Sequence, residues 1–329
     1  MNTLLYDALE GKNFSSRPPI WLMRQAGRYM ASYRALKEKY TFLQLCNTPE
    51  LIYQVTKLPI DQFSFDAAIV FSDILLFLQY CGFELSYETG KGPQIFPKIT
   101  SRIDCEKLEF ERVVEQSIPL QQGIELLCSD LNVPLLGFVA FPFTIASYMV
   151  EDIGEMMEKN PELLDHLLEK LERLIVPYAE MQRSAGCSVI QFFDSSSHTL
   201  TKEQFSRFCL PYMRRVVGKQ KGTRTIVFSR GFSSHYEELL DLNEVAFSID
   251  WGIDIRNVRK KIGSKRVLQG NLDPHILLEE RSVVEKACRE ILATMRGDPA
   301  YIFNLGHGIL PQTPEENVHL LVDLAGFIK

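Results

Sequence analysis

Short runs of apolar, β-branched or aromatic residues recur along the chain at 19–23, 67–71, 135–139, 189–193, 225–228, 246–249, 266–268 and 301–304. A polar or glycine-containing turn follows each one. The runs are continuous rather than alternating, which suits parallel strands covered on both faces. Helical patterns separate most of them. The clearest begins at Asn160-Pro161, a cap followed by proline at the first helical position. Leu163, Leu164, Leu167, Leu168, Leu171, Leu174 and Ile175 then form one stripe; Glu169 and Arg173 are spaced to pair, Pro177 predicts a bend, and Gly186 ends the pattern. Asn47-Thr48-Pro49-Glu50, Asn271-Leu272-Asp273-Pro274 and the capping-box sequence Thr313-Pro314-Glu315-Glu316 predict further helix starts. Eight βα-like units predict a single-domain (β/α)8 TIM-like barrel over residues 1–329, with an N-terminal extension and loop insertions at the C-terminal face. A doubly wound sheet is the competing fold, but no G-x-G-x-x-G follows an early strand.

Composition changes this picture little. Lys+Arg number 36 against 42 Asp+Glu, a net charge of −6, which argues against a nucleic-acid partner. The seven cysteines are scattered, with no Cys-x-x-Cys or His-x-Cys pair. The first residues carry charges and no apolar signal core, so a reducing cytoplasm is expected. Residues 131–150 are uncharged and long enough to cross a bilayer. They include Asn132, Pro134, Gly137 and Pro142 and change period halfway, so they read as strand, loop and helix start, with no membrane partner.

In such a barrel the chemistry stands where the strands end. The residues there are Arg24, Gln25 and Arg28; Ser72 and Asp73; Phe143 and Tyr148; Asp194 and Ser195; Ser229-Arg230; Asp250-Trp251; Gln269-Gly270-Asn271; and Gly306-His307-Gly308. The first group is the most unusual. Between residues 17 and 39 there are six basic side chains and one acid, against the sign of the whole chain. Arginine suits bidentate capture of carboxylate or phosphate. Gly27 is placed to let backbone approach a ligand closely.

The stretch PPIWLMRQAGRYMASYR at 18–34 resembles the N-terminal signature of the uroporphyrinogen decarboxylase family. FSDIL at 71–75, GKGP at 90–93, FTIASYMVE at 143–151, QFFDS at 191–195, QGNLDP at 269–274 and NLGHGILP at 304–311 continue the resemblance in order over the whole chain. What it implies is a cofactor-free lyase of haem biosynthesis. Such an enzyme removes four acetate carboxyl groups from uroporphyrinogen III to give coproporphyrinogen III. The family's fold is the (β/α)8 barrel, usually in a homodimer.

Carried over residue by residue, the resemblance makes Asp73, Arg24 and Arg28 catalytic. It adds Gln25, Ala26, Gly27, Tyr148, Phe193, Ser195 and His307 to Arg24, Arg28 and Asp73 as substrate-binding positions, with no metal site. Asp73 matches the family's central aspartate, facing the macrocycle N–H groups, and Arg24 and Arg28 would anchor carboxylates. The proton donor stays open among Arg24, a water held there and Asp73 itself. Three departures stand out: Ala31-Ser32 replace the usual Pro-Glu, Lys37 stands where relatives have Arg, and Ser196-Ser197-His198 replaces His-Ala-Gly. His198 therefore receives no role. The alternatives are a zinc-dependent corrinoid methyltransferase of the same superfamily and a non-catalytic tetrapyrrole binder. The first needs a thiolate zinc site that His235-Tyr236-Glu237 does not supply.

Overall fold

The structure, a computed structural model, describes residues 2–88, 92–220, 222 and 224–326. Its strands are β1 (Ala68–Ile69), β2 (Glu84–Glu88), β3 (Gly92–Phe96), β4 (Leu135–Ala140), β5 (Val189–Asp194), β6 (Arg224–Ser229), β7 (Val245–Ile249), β8 (Leu268–Gln269) and β9 (Tyr301–Ile302). Seven of them form one parallel sheet in the order β1-β4-β5-β6-β7-β8-β9. The 19–23 run is not a full strand, but it bridges the two sheet edges. Ile20 pairs in parallel with Phe303, its carbonyl accepts from Asp66 N (2.9 Å), and Pro19 O accepts from Phe303 N (2.9 Å). The eight runs thus close a barrel. The 266–268 run pairs as Leu268–Gln269, shifted toward its C-terminal end.

β2 and β3 form an antiparallel hairpin that the hydrophobic pattern did not predict. Gly90 and Lys91 of the GKGP motif lie outside the described residues; Gly92 and Pro93 open β3.

Two apolar cores result. Inside the barrel pack Trp21, Ile69, Leu136, Val189, Phe228 and Ile302. Leu5 and Ala8 of helix Leu4–Leu9 join this cluster beside the strand-start residues Ala67 and Ala300, so the helix plugs the N-terminal end. Between sheet and helices lies the larger core. The 25-residue helix Pro161–Ala185 contributes its leucine stripe there, starting after Asn160 and ending at Gly186 with φ +127°. Residues 131–150 fold as expected into β4, a turn and helix Pro142–Met149. No described helix is long and apolar enough to cross a membrane.

Three local expectations fail. Thr313 does not cap helix Glu315–Gly326; its hydroxyl is buried without a partner, and the Glu315 carboxylate instead accepts from Ala31 N (2.6 Å) and Gln62 Nε2. Asn271–Pro274 starts only the 3-10 turn Pro274–Leu278, capped by Asp273 (2.9 Å to His275 N). Glu169 and Arg173 form no ion pair. The buried Glu172 is instead held by Arg215 (2.7 Å) of helix Leu210–Gly218 and by Lys219 (2.9 Å) at that helix's C-terminal end.

Candidate active site at the barrel mouth

Strand alternation builds the site from below. The inward row of β5 runs Val189, Gln191, Phe193, and that of β6 runs Ile226, Phe228. Gln191, Gln269 and Ser248 form a buried polar layer. Gln269 donates to Gln191 (3.1 Å) and Ser248 (2.8 Å) and accepts from Trp21 Nε1 (3.0 Å). Three of the sequence motifs therefore contribute a residue to the barrel's packing rather than to its surface. Above that layer sit Phe193 and Phe228, ring centroids 5.7 Å apart. His307 contacts Phe228 (5.8 Å) and Trp251 (6.0 Å) edge-on, so an aromatic floor lies under the mouth.

Asp73 follows β1 and precedes helix Leu76–Tyr80. Its Oδ1 accepts from Leu75 N at 2.8 Å, an Asx turn that fixes the carboxylate just ahead of the helix. Enclosure by protein raises its pKa; the Leu75 amide, the Tyr87 hydroxyl and the Arg24 charge oppose that rise. Tyr87 stands on β2, its buried hydroxyl facing Asp73 but out of hydrogen-bonding alignment with any partner. Its ring packs edge-on against Phe42 at 4.5 Å. Tyr87 and Phe42 also line a groove of about 590 Å³, with Lys37 on its rim.

Arg24 is exposed, at φ +60°, a conformation uncommon for a side-chain-bearing residue and concentrated at functional sites. Its stem crosses Gly308: a Cβ there would lie 2.4 Å from Arg24 Cδ. A Cβ on Gly27 would meet only Arg24 O at 3.4 Å and Tyr29 Cδ1 at 3.8 Å. Gln25 is fully buried, and both polar ends serve the barrel seam, Oε1 to Leu22 N (3.2 Å) and Nε2 to Ala67 O (3.1 Å). Ala26 and Gly27 are part-buried and Arg28 is exposed, its carbonyl accepting from Arg34 (2.9 Å).

Tyr148, on the helix after β4, is part-buried. Burial and the Asp73 charge raise its pKa, and Arg24 and Arg230 hold it down. His307 is pushed down to about 4, by burial first and then by Arg24 and Arg230, and is a neutral imidazole at pH 7. Ser195 continues the inward row of β5. Its amide donates to Thr144 Oγ1 (3.0 Å), which in turn donates to the fully buried Asp194 (3.3 Å). Asp194 also accepts from Ser197 N (3.2 Å), the Ser197 hydroxyl and Ser229 Oγ (3.1 Å), so it shapes the loop that presents Ser195.

Asp73, Arg24, Tyr148 and His307 thus meet at one mouth, above Phe193 and beside Ser195. Arg28 opens to solvent and Gln25 turns inward. Tyr87, Phe228 and Arg230 join the mouth without having been singled out as site residues. Only Arg230 had a signal, its place at a strand end.

The uroporphyrinogen decarboxylase family model matches residues 1–326. The chain belongs to that family. Among curated relatives, the uroporphyrinogen decarboxylase of Protochlamydia amoebophila is 41% identical, over 98% of this chain and 91% of its own. That of Anaeromyxobacter dehalogenans is 40% identical over 93% of each. The protein is accordingly a carboxy-lyase of porphyrin biosynthesis. A methyltransferase from Methanosarcina mazei shares the fold at TM-score 0.83, covering 99% of this chain and 98% of its own at 19% identity. A B12-independent methionine synthase from Shewanella follows at 0.55 and 11%, covering 84% and 86%. These likenesses establish a barrel architecture alone. Within the family frame, MRQAGRY divides its work: Arg24 faces the mouth while Gln25 closes the barrel.

Proposed function

We propose that this decarboxylase acts on uroporphyrinogen III, converting its four acetate side chains to methyl groups with Asp73 as the central catalytic group. The supporting observation is a single carboxylate that burial disfavours, held at the barrel mouth beside the Arg24 cation. An ionised carboxylate has about four lone-pair sites, matching the four pyrrole N–H donors of the macrocycle. The part-buried phenol of Tyr148 and the neutral imidazole of His307 are polar groups for substrate acids or N–H groups. Phe193 and Phe228 are apolar support beneath the ring. Arg24 and Arg28 are the anchors for propionate or acetate carboxylates.

In each round a proton adds to a pyrrole α-carbon and makes the ring cationic. The bond from the acetate CH2 to its carboxylate then breaks. Its electron pair forms an exocyclic double bond and neutralises the ring cation, and CO2 leaves. A second proton adds to the exocyclic carbon to give CH3, and the α-carbon proton returns to the medium. The net consumption is one proton per CO2. Asp73 stabilises the ring cation electrostatically, and being fixed through Leu75 N it needs no reorganisation to do so. Family membership further implies a homodimer working in the cytoplasm, which light scattering of the purified protein checks for mass. Anaerobic incubation with chemically reduced uroporphyrin III, followed by chromatography of the oxidised products, tests the reading. Products with seven down to four carboxyl groups are expected; unchanged octacarboxylate overturns it.

A further inference from the structure

We propose that Arg230 is a substrate-carboxylate anchor on the wall of the mouth opposite Arg24 and so helps set selectivity for the fully carboxylated macrocycle. The inference rests on the decarboxylase reading and deepens it.

Phe193 of β5 pairs with Phe228 of β6, and Asp194 with Ser229. One step further, Ser195 stands level with Arg230. Alternation that turns Phe193 and Phe228 into the barrel turns Ser195 and Arg230 toward the mouth above them. Arg230 is thus the basic member of the same ring of strand ends that holds Ser195.

The main chain there is pinned on both sides. Arg230 N donates to Asp194 O (2.9 Å), and Gly231 N donates to the Asp250 carboxylate. Gly231 takes φ +72°, and a Cβ on it would lie 2.7 Å from His198 Cβ, so only glycine lets the two loops meet. The guanidinium itself is exposed and, among the described residues, has no hydrogen-bond or ion-pair partner. A cation held on a fixed backbone without a partner is prepared for an anion that arrives from solution. The nearby acids do not pair with it: Asp194 is saturated by hydroxyl and amide donors, and Asp250 accepts from Gly231 N through Oδ2 while its Oδ1 is buried without a partner.

The Arg230 charge is felt by Tyr148, by His307 and by His198, on three separate segments. Arg24 acts on the first two of these from its own side. Tyr148 and His307 therefore lie between two guanidiniums. A macrocycle with carboxylates on its whole rim, seated over Asp73, would meet a cation on each side. A ligand with carboxylates on one edge would use only one.

The test compares wild type, Arg230→Ala and Arg230→Lys. Two readouts are taken at fixed ionic strength: Kd for oxidised uroporphyrin, an octacarboxylate, from protein fluorescence quenching, and KM and kcat for its reduced form. For Arg230→Ala, Kd and KM rise about 10- to 100-fold, the range of a lost charge-assisted hydrogen bond, and kcat falls by much less. Arg230→Lys, which keeps the charge without the fork, falls between the two. Kd and KM within twofold of wild type in a normally folded Arg230→Ala protein overturn the proposal. So does a fall in kcat alone. Should Arg230→Ala fold poorly by circular dichroism, Arg230→Lys and Arg230→Gln, which keep the stem, decide by the same ratios. Wild type that binds uroporphyrin but releases no CO2 refutes the decarboxylase reading while the Kd ratios still judge Arg230. Wild type that binds no uroporphyrin refutes both.

Discussion

Burial pushes the Asp73 carboxyl toward its protonated form, while the Leu75 amide, the Tyr87 hydroxyl and the Arg24 charge pull the other way. Folding therefore favours the neutral acid, whereas the proposed chemistry uses the anion. A carboxyl whose folded pKa lies above its unfolded value loses stabilising effect as pH rises through that interval, and the cost persists above it. Asp73→Asn removes the cost and keeps an acceptor for Leu75 N. Its melting temperature is expected to equal or exceed that of wild type at pH 7, with the difference vanishing near pH 3. Its decarboxylation rate should fall about 10²–10³-fold, as for other lost preorganised charges. Calorimetry across pH together with CO2 release checks both; a fully active variant would remove Asp73 from the mechanism. Asp73 was legible in the sequence from its place after a strand and its motif. Tyr87 was not, because a hairpin folding over β1's end is a long-range event with no local signature.

At the scale of elements, the loop after β9 shows two glycines with different duties. A Cβ on Gly306 would lie 2.3 Å from Trp251 N, a backbone atom that cannot step aside. A Cβ on Gly308 would strike the middle of the Arg24 side chain, which can swing away. Gly306→Ala is therefore expected to destabilise the fold by about 1–3 kcal/mol, as overpacking does. Gly308→Ala should leave the melting temperature nearly unchanged yet reduce kcat/KM by up to about 10²-fold, since a displaced anchor loses its geometry. Thermal melts beside initial rates separate the two; a large loss of stability in Gly308→Ala would contradict this account of Arg24. The motif NLGHG pointed to the loop, but the partner that each glycine meets lies on a different segment.

The molecule as a whole is acidic, with a net charge of −6, yet its mouth holds the cations of Arg24 and Arg230 around Tyr148 and His307. Local charge, not the total, meets an eight-carboxylate ligand. The alternative of a corrinoid methyltransferase needs a thiolate zinc site. Among the described residues no three His, Cys, Asp or Glu side chains are grouped to hold a metal, and six of the seven cysteines are buried free thiols. Dialysis against a strong chelator is expected to leave the decarboxylation rate unchanged; a loss that zinc restores would reopen the methyltransferase reading.

The order of strands, the long amphipathic helix and most mouth residues could be read from the sequence alone, because continuous apolar runs, the 3.6-residue stripe and the family motifs are local signals. The barrel's closure through a single bridge at Ile20 could not. Nor could the commitment of Gln25 to the seam, the engagement of the Glu315 carboxylate by Ala31 N and Gln62 Nε2, or the Asp194–Ser229 register that sets Ser195 beside Arg230 one step on. Each depends on which distant groups folding brings within hydrogen-bond reach, and for buried polar groups that need for a partner decides the outcome.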